Sequence, residues 1–175
     1  MLLDLKLLQA KLWLWHKLGQ RGPGLTPAQA AALFAANPAR YFRLPAATRD
    51  VLTPGHWHAH EHLTVEVAGH AVAYVQGLRV EASLGVAEVL HLRTAGNTQK
   101  RGVGRALVGA LREALLGQYP GLVRMDFVVK PGHQGFFARL GAVHRGRTYL
   151  SGGHQIWELL DGKRPRNPED RSEGE

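Results

Sequence analysis

Residues 98–116, TQKRGVGRALVGALREALL, join a basic, glycine-containing loop to an amphipathic segment. Apolar residues recur there every four positions, at Val103, Leu107, Leu111 and Leu115, which predicts a helix with one face against a sheet. The first turn carries basic residues where the helix dipole favours acidic ones. Glycines allow a ligand to come close to the backbone, and the free amide groups at the start of a helix bind phosphate. The stretch therefore predicts an anion-binding cradle followed by a sheet-packed helix.

The composition is that of one ordinary globular domain, with 175 residues of which 45% are hydrophobic and 21% charged. The absence of cysteine excludes a disulfide scaffold, a cysteine zinc site and a thiol nucleophile, and it fits the reducing cytoplasm. The net charge of +8 favours an anionic partner. Nucleic acid is the less favoured candidate, since the sequence has no aromatic RNA-binding signature and no zinc-finger spacing.

Residues 1–19, MLLDLKLLQAKLWLWHKLG, form an apolar stretch that Asp4 and three lysines interrupt. No run approaches the roughly 20 apolar residues of a membrane-spanning helix, and no signal-peptide cleavage site is evident. We expect no membrane partner and predict that residues 1–38 are a helical segment packed on the domain or on a second copy, in a homodimer. Binding along a membrane surface is the alternative for this segment.

The predicted order of elements is two helices, a β-meander, a β-α-β unit, a short helix and two final strands. Thr26 is the predicted cap of a helix whose first residue is Pro27. The predicted strands are a first one near residues 41–44, a hairpin of 62–69 and 70–77, and strands at 85–94, 122–129, 142–150 and 154–160, with a short helix at 132–141. Residues 161–175 are polar and predicted to be disordered. The pattern indicates a mixed α/β sheet with helices on its faces.

The basic loop resembles one known phosphate-binding signature and fails two others. The P-loop pattern G-x-x-x-x-G-K-[ST] is absent, and the dinucleotide fingerprint would need glycine at Leu107. The residues from Gln99 to Gly104, QKRGVG, match the Q/R-x-x-G-x-G/A signature of the GCN5-related N-acetyltransferase (GNAT) family. The preceding VAEVLHLRT stands where the fourth strand of that family stands, and GFFARLGA resembles its distal aromatic motif. The resemblance covers residues 62 to 160.

The resemblance implies an α/β acyl-CoA N-acyltransferase fold over residues 39–160, with a mostly antiparallel sheet that splays in a V between its fourth and fifth strands. It implies acetyl-CoA as co-substrate, an amine acceptor and no metal. In the family, the signature loop holds the pyrophosphate of CoA, and the end of the fourth strand pairs with the pantetheine arm. The CoA-binding residues so implied, with the distal aromatic pair, are Leu92, Arg93, Thr94, Gln99, Lys100, Arg101, Gly102, Val103, Gly104, Arg105, Phe136 and Phe137.

Acetylation of an amine requires a base, because an alkylammonium group has a pKa of about 10.4 and only the neutral amine attacks. Glu88 is the first candidate, since it matches the place of the glutamate base in the histone-acetylating branch of the family. Pairing of Glu88 with an arginine on the sheet face is the structural alternative. His91 is the alternative base, and its odd separation from Glu88 places it on the opposite face of the strand.

The general acid has several candidates in the sequence. Many family members carry a tyrosine in the distal aromatic pair that protonates the leaving thiolate, whereas here the pair is Phe136–Phe137. Tyr149 is the candidate to replace it, with His133 and His144 as alternatives. Because CoA thiolate is a tolerable leaving group, the reaction can also proceed without an acid.

The run HWHAHEH places His56, His58, His60 and His62 at alternate positions, on one face if the segment is a strand. Three imidazoles can hold zinc or nickel, but neighbours on one strand seldom converge, and we predict no metal. A histidine-lined substrate entrance, with Trp57 as a stacking surface, and an exposed strand edge are the other interpretations.

Two other classes of function remain open. The missing tyrosine also fits a non-catalytic CoA-binding module, and the basic charge also fits a nucleic-acid-binding protein. Protein lysines, protein N-termini, polyamines, aminoglycosides and amino acids are all candidate acceptors. The net charge of +8 disfavours a polycationic acceptor.

Overall fold

The computed structural model of the protein describes residues 6–10, 24–44, 61–96, 102–149 and 153–160. Residues 6–10 are helical. The helices and strands that follow are α1 (Pro27–Ala36), α2 (Pro38–Tyr41), β1 (Glu61–Val67), β2 (His70–Glu81), β3 (Val86–Thr94), α3 (Val103–Gln118), β4 (Arg124–Val129), α4 (Gln134–Arg139), β5 (Val143–Tyr149) and β6 (His154–Leu160).

The strands form one six-stranded sheet in the order β1-β2-β3-β4-β6-β5. β3 and β4 are parallel, and β6 pairs antiparallel with both β4 and β5. A parallel pair needs a crossover connection, which α3 supplies here. This arrangement confirms the mixed α/β fold, and from β1 onward the elements follow the order that the sequence predicts. The predicted tail, residues 161–175, lies outside the described residues.

The chain divides into two compact units. Unit 1 consists of Met1–Phe42, Thr64–Ala73 and Thr94–Ala110, and unit 2 consists of Arg43–Leu63, Tyr74–Arg93 and Leu111–Glu175. Unit 1 therefore holds α1 and the start of α3, whereas unit 2 holds most of β3 and all of β4, β5 and β6.

Helix α1 begins as the sequence predicts. The Thr26 hydroxyl accepts a hydrogen bond from the Gln29 amide at 3.2 Å, and the Gln29 side chain accepts one from the Thr26 amide at 2.9 Å. This reciprocal pair satisfies amide groups that a helix start leaves unbonded. Pro27 occupies the first turn, where its missing N–H is not needed. Leu33 and Phe34 of the helix are buried.

The predicted strand near residues 41–44 is wrong. Pro38 starts a second short helix, α2, which runs through Tyr41, and residues 42–44 have no regular structure. Proline fits the first turn of a helix, and the Phe42 amide closes this turn on the Pro38 carbonyl at 2.9 Å. Among the described strands, the one that resembles the family's fourth is therefore the third, β3.

The second hairpin strand is longer than predicted because Gly77 does not end it. β2 continues through Gly77 to Glu81. Gly77 has a φ of +69°, and its amide donates to His62 Nδ1 on β1 at 3.3 Å. A Cβ at Gly77 would lie 2.5 Å from the Leu90 side chain, so glycine is required by both conformation and space.

Two helices cover one face of the sheet in unit 2. Phe137 of α4 packs on Phe127 of β4, with ring centroids 5.1 Å apart. Leu116 of α3 lines a shallow pocket together with Met125 of β4 and Leu159 of β6. Because side chains alternate along a strand, Met125 and Phe127 share this covered face, and the even-numbered residues of β4 lie on the other face.

Candidate active site

The start of α3 has the features of an anion cradle. Gly102 is exposed with a φ of +77°, which favours glycine, and Val103 behind it is buried at the first helical position. The first turn of α3 contains no acidic residue, and Arg105 in this turn is exposed. A helix start with an open glycine and no acidic side chain suits a phosphate group. The first part of the signature, Gln99, Lys100 and Arg101, lies outside the described residues.

β3 and β4 pair over a short length and then part. Their register runs from Val86 opposite Arg124 to Val89 opposite Phe127. β3 continues to Thr94 and β4 to Val129, but these further described residues show no pairing with each other. β4 instead keeps its pairing with β6 through Val129. The end of β3 thus has unpaired backbone groups on the side of β4, which is the splay that the resemblance implies.

The strand segment implied in pantetheine binding lies beyond this point of separation. Leu92 and Thr94 are half-buried and Arg93 is exposed. A strand edge whose amide and carbonyl groups are not used by a neighbour can pair with an extended ligand. The geometry of residues 92–94 is therefore compatible with the predicted role.

Glu88 lies on β3 within the paired region and makes an ion pair with Arg79 of β2. Arg79 Nη2 donates to both carboxylate oxygens of Glu88, each at 3.0 Å. The Glu88 side chain is largely buried, with 15% of its surface exposed. Both carboxylate oxygens of Glu88 are thus engaged by one guanidinium group in a charge-assisted contact. This ion pair is the alternative expected for Glu88, pairing with an arginine on the sheet face. The catalytic role of Glu88 stays a prediction.

His91 lies on β3 just past the last pair with β4, and it is half-buried. Burial lowers its pKa below the ordinary value, and the nearby positive charges of Lys130, His154 and Arg93 lower it further. Both effects disfavour the imidazolium form. His91 is therefore a neutral imidazole at pH 7, with the basic nitrogen that proton removal from an amine requires.

Tyr149 ends β5, where its Cα is paired with that of His154 on β6. In the sheet order, β4 and β6 lie between β3 and β5. With strands about 4.8 Å apart, Tyr149 is roughly 14 Å from the line of β3, well beyond hydrogen-bond reach. Its predicted role as acid is thus not supported by proximity to His91, and it stays a prediction.

The distal aromatic pair lies on α4. Phe136 and Phe137 meet edge to face, with ring centroids 5.1 Å apart. Phe137 is buried on Phe127, whereas Phe136 is half-buried. Packing of Phe137 on Phe127 is by itself enough to account for an aromatic residue at this position.

The two alternative acids lie within the described residues. His133 precedes α4 and is exposed, and His144 stacks on Trp157 with ring centroids 5.8 Å apart.

The structure also brings together a group of charged side chains that the sequence analysis missed. The Cα of Asp126 on β4 is paired with that of Glu88 on one side and that of Glu158 on the other. The three carboxylates therefore share one face of the sheet. Asp126 and Glu158 are buried, although both are acidic. The signal was present in the sequence, because acidic residues inside RMDFVV and HQIWELL interrupt buried strands.

Arginines form ion pairs with these two buried carboxylates, although Asp126 Oδ1 and Arg124 Nε lack hydrogen-bond geometry. Arg147 Nη1 donates to Asp126 Oδ2 at 2.9 Å and to Glu158 Oε1 at 3.1 Å. Arg124 Nε lies 2.8 Å from Asp126 Oδ1, and Arg145 Nε lies 3.5 Å from Glu158 Oε2. The hydrogen bonds to Asp126, and then those to Glu158, raise the pKa of Arg147. We call Asp126, Glu158, Arg124, Arg145 and Arg147 the charged cluster.

Of the histidine run, only His62 lies within the described residues, and it is exposed. His56, Trp57, His58 and His60 fall outside them. In the described part of the chain, no group of three or more histidine, cysteine or acidic side chains is placed to hold a metal ion. Among the same residues, no helix is long and apolar enough to cross a membrane.

Comparison with known proteins identifies the family to which this fold and loop belong. Residues 32–142 match the profile of the acetyltransferase (GNAT) family. The chain is a member of the GNAT family. Membership supports acyltransferase activity with a CoA-based acyl donor. A comparison with curated protein sequences finds no match.

Solved acetyltransferase structures are similar to this chain at low sequence identity. Tetrahymena GCN5 is 18% identical, with a TM-score of 0.50 over 75% of this chain and 83% of that chain. An acetyltransferase from Thermus thermophilus is 19% identical, with a TM-score of 0.49 over 79% of this chain and 94% of that chain. The PaiA N-acetyltransferase of Thermoplasma acidophilum, solved with coenzyme A, is 16% identical, with a TM-score of 0.48 over 57% of this chain and 60% of that chain.

Proposed function

We propose that this GNAT protein is an N-acetyltransferase that moves the acetyl group of acetyl-CoA to a primary amine by direct attack in a ternary complex. The observation that carries the proposal is the parting of β3 from β4 after Val89 and Phe127. It leaves a strand edge on the segment that runs, in the chain, toward the glycine-containing start of α3. The absence of cysteine from the sequence removes the commonest nucleophile for a covalent enzyme intermediate.

The CoA-binding residues are proposed from the family signature and the geometry of each segment. Gly102 to Arg105, with Gln99, Lys100 and Arg101, bind the pyrophosphate through backbone amides and positive charge. Leu92, Arg93 and Thr94 bind the pantetheine arm as an added strand. Phe136 is the member of the distal aromatic pair with exposed surface for the cofactor, since Phe137 is buried on Phe127.

His91 is the proposed general base. It lies at the splay, and in the described part of the chain its side chain makes no hydrogen bond, so its basic nitrogen is available. Its lowered pKa keeps it neutral at pH 7. Glu88 has the family's position for a base, but Arg79 occupies both of its oxygens. We assign Glu88 a structural role in holding β2 to β3.

In the proposed reaction, the neutral amine nitrogen attacks the thioester carbonyl carbon and forms a C–N bond. His91 takes a proton from the amine, and the C–S bond breaks to release CoA thiolate. The thiolate takes its proton from solvent, so no protein acid is required. Backbone N–H groups at the unpaired edge of β3 are the proposed donors to the carbonyl oxygen as it gains negative charge.

The experiment that tests this function is an acceptor screen in which release of the CoA thiol is followed. The wild type is compared with His91→Gln and with Glu88→Gln as the matched control. We expect His91→Gln to lower kcat/KM by roughly 10²–10⁴ and Glu88→Gln to lower it less than tenfold. Loss of activity in Glu88→Gln alone would contradict the assignment of the base.

A non-catalytic CoA-binding module is the second candidate function. The phenylalanine pair and the arginine-bound Glu88 favour it, because neither provides the family's usual proton-transfer group. It predicts a rise in melting temperature with acetyl-CoA but no CoA release with any amine. The same screen, combined with thermal unfolding, distinguishes the two candidates.

A further inference from the structure

Three strands of unit 2 meet at the end of the sheet where His91 lies. β3 and β4 are parallel and β6 is antiparallel to β4, so β3 and β4 end on the side where β6 begins. The last pair of β3 with β4 joins Val89 to Phe127. His91 lies two residues past this pair on β3, level with Val129, which lies two residues past it on β4. Val129 is in turn paired with Gln155, near the start of β6.

Three basic residues surround His91 at this end of the sheet. Lys130 directly follows the last residue of β4, and His154 is the first residue of β6. Arg93 lies two residues after His91 on β3, and therefore on the same face of the strand. The charges of all three residues help to lower the pKa of His91. We call His91, Arg93, Lys130 and His154 the basic end of the splay.

The described strand ends provide no carboxylate to offset this positive charge. The residues there, none of which is aspartate or glutamate, are 90–94, 128–133, 148–149 and 154–155. The acidic residues of the same strands lie on the far side of the last β3–β4 pair and are bound by arginines; they are Glu88, Asp126 and Glu158. Lys130 is exposed and forms no ion pair with a described residue. Its ammonium group is therefore available to an anionic group of a ligand.

The positive charge distinguishes between classes of acceptor amine. An alkylamine, with a pKa of about 10.4, arrives at neutral pH as an ammonium ion, which the positive charges near His91 repel. A diamine or a polyamine carries a further positive charge and is repelled more strongly. An amine with a carboxylate beside it arrives as a zwitterion without net charge, and its carboxylate can form a charge-assisted contact with Lys130. The basic end of the splay therefore favours an acceptor that has a negative group close to its amine.

We propose that the acceptor is a small amine with a carboxylate close to it, such as a free amino acid, and that Lys130 binds this carboxylate. The inference rests on the proposed acetyl transfer with His91 as the base. Lys130 comes directly after Val129, which is level with His91, so the two side chains start from opposite sides of the same gap. The flexible four-carbon stem of a lysine suits a contact across such a gap. Lys130 determines specificity and takes no proton in the reaction.

The test compares each amino acid of a panel with its own amide, which lacks the carboxylate charge and is otherwise alike. Ethylenediamine is the cationic counterpart of the pair glycine and glycinamide. Release of the CoA thiol from acetyl-CoA by the full chain gives KM and kcat for each acceptor and KM for acetyl-CoA. We expect the best amino acid to have a KM roughly tenfold below that of its amide, and ethylenediamine to be the poorest acceptor. Because the amide has the lower amine pKa, a larger neutral fraction cannot cause a preference for the acid.

Lys130→Gln is the informative variant, because Lys130 is exposed and its replacement should leave the fold intact. It should raise the KM of the amino acid roughly tenfold, to that of the amide, and leave the KM of the amide and of acetyl-CoA unchanged. Lys130→Arg keeps the charge and should keep the preference. Lys6→Gln is the matched control, since it removes the same charge from an exposed lysine outside the sheet and should change none of these constants.

The outcomes separate this inference from the proposed function. Acetyl transfer that prefers amides or amines without a carboxylate, or an equal loss of preference in Lys6→Gln, overturns the inference and leaves the acetyl transfer standing. A rise in the KM of acetyl-CoA in Lys130→Gln assigns Lys130 to the cofactor and also overturns the inference. A preference for the acid that is lost in Lys130→Gln alone supports it.

If no amine releases the CoA thiol, calorimetry with the CoA-saturated protein decides between the remaining outcomes. Tighter binding of the amino acid than of its amide, lost in Lys130→Gln, refutes the acetyl transfer and retains only the carboxylate site. Equal binding of the acid and the amide overturns both the transfer and the site.

Discussion

Arg147 is the side chain on which the charged cluster depends most. Replacement by glutamine removes two hydrogen bonds, of 2.9 and 3.1 Å, to carboxylates that are both buried. A hydrogen bond to a charged group contributes about 1.5–3 kcal/mol, and an unpaired buried charge costs about 3–5 kcal/mol. Asp126 keeps Arg124 at 2.8 Å and Glu158 keeps Arg145 at 3.5 Å, which reduces the loss. We expect Arg147→Gln to lower the free energy of unfolding by about 2–3 kcal/mol.

The assay is urea unfolding at pH 7, followed by tryptophan fluorescence, with Arg145→Gln as control. Arg145 is half exposed and its single contact is long, so its replacement should cost less than about 1 kcal/mol. For a protein of this size the expected loss in Arg147→Gln corresponds to a fall of about 4–12 °C in melting temperature. Equal losses in the two variants would refute the reasoning, because they would show that the buried carboxylates do not depend on Arg147.

Further expectations concern the cradle, the base and two glycines. Saturating acetyl-CoA, at one hundred times its dissociation constant, should add about 2.7 kcal/mol of stability, and Gly104→Glu should abolish this gain in thermal unfolding. As the pH falls, kcat/KM should decrease only below pH 6.5, because the pKa of His91 is lowered and only its neutral form accepts a proton. His91→Gln should remove this decrease. Gly77→Ala should destabilise the protein by about 1–3 kcal/mol in urea unfolding, since it combines a φ of +69° with a clash on Leu90. Gly109→Ala, in α3 with open space around its Cα, should stabilise it by up to about 1 kcal/mol, and a loss there would show that α3 needs glycine.

Local features of the sequence predicted most of the elements. The cap at Thr26, the hairpin turn at Gly69 and the four-residue repeat of α3 are set by neighbours along the chain, and the structure has each of them. The strand predicted near residues 41–44 is replaced by a turn of helix, because Pro38 starts a helix that runs through Tyr41. The sequence predicts a strand end at Gly77, whereas β2 continues, because this glycine makes room for Leu90 of the next strand and no local pattern reveals that contact.

The family, the fold and the glycine-containing start of α3 follow from the amino-acid sequence, because they depend on residue types at fixed short spacings. Which charged side chains meet follows from the folded sheet. Arg79 reaches Glu88 from a neighbouring strand, and Arg147 reaches Asp126 across 21 positions of the chain. Such pairs follow from strand order and register, which bring distant residues together on one face of the sheet. The ion pair of Glu88, the half-buried position of His91 at the splay and the charged cluster therefore depend on the sheet as a whole.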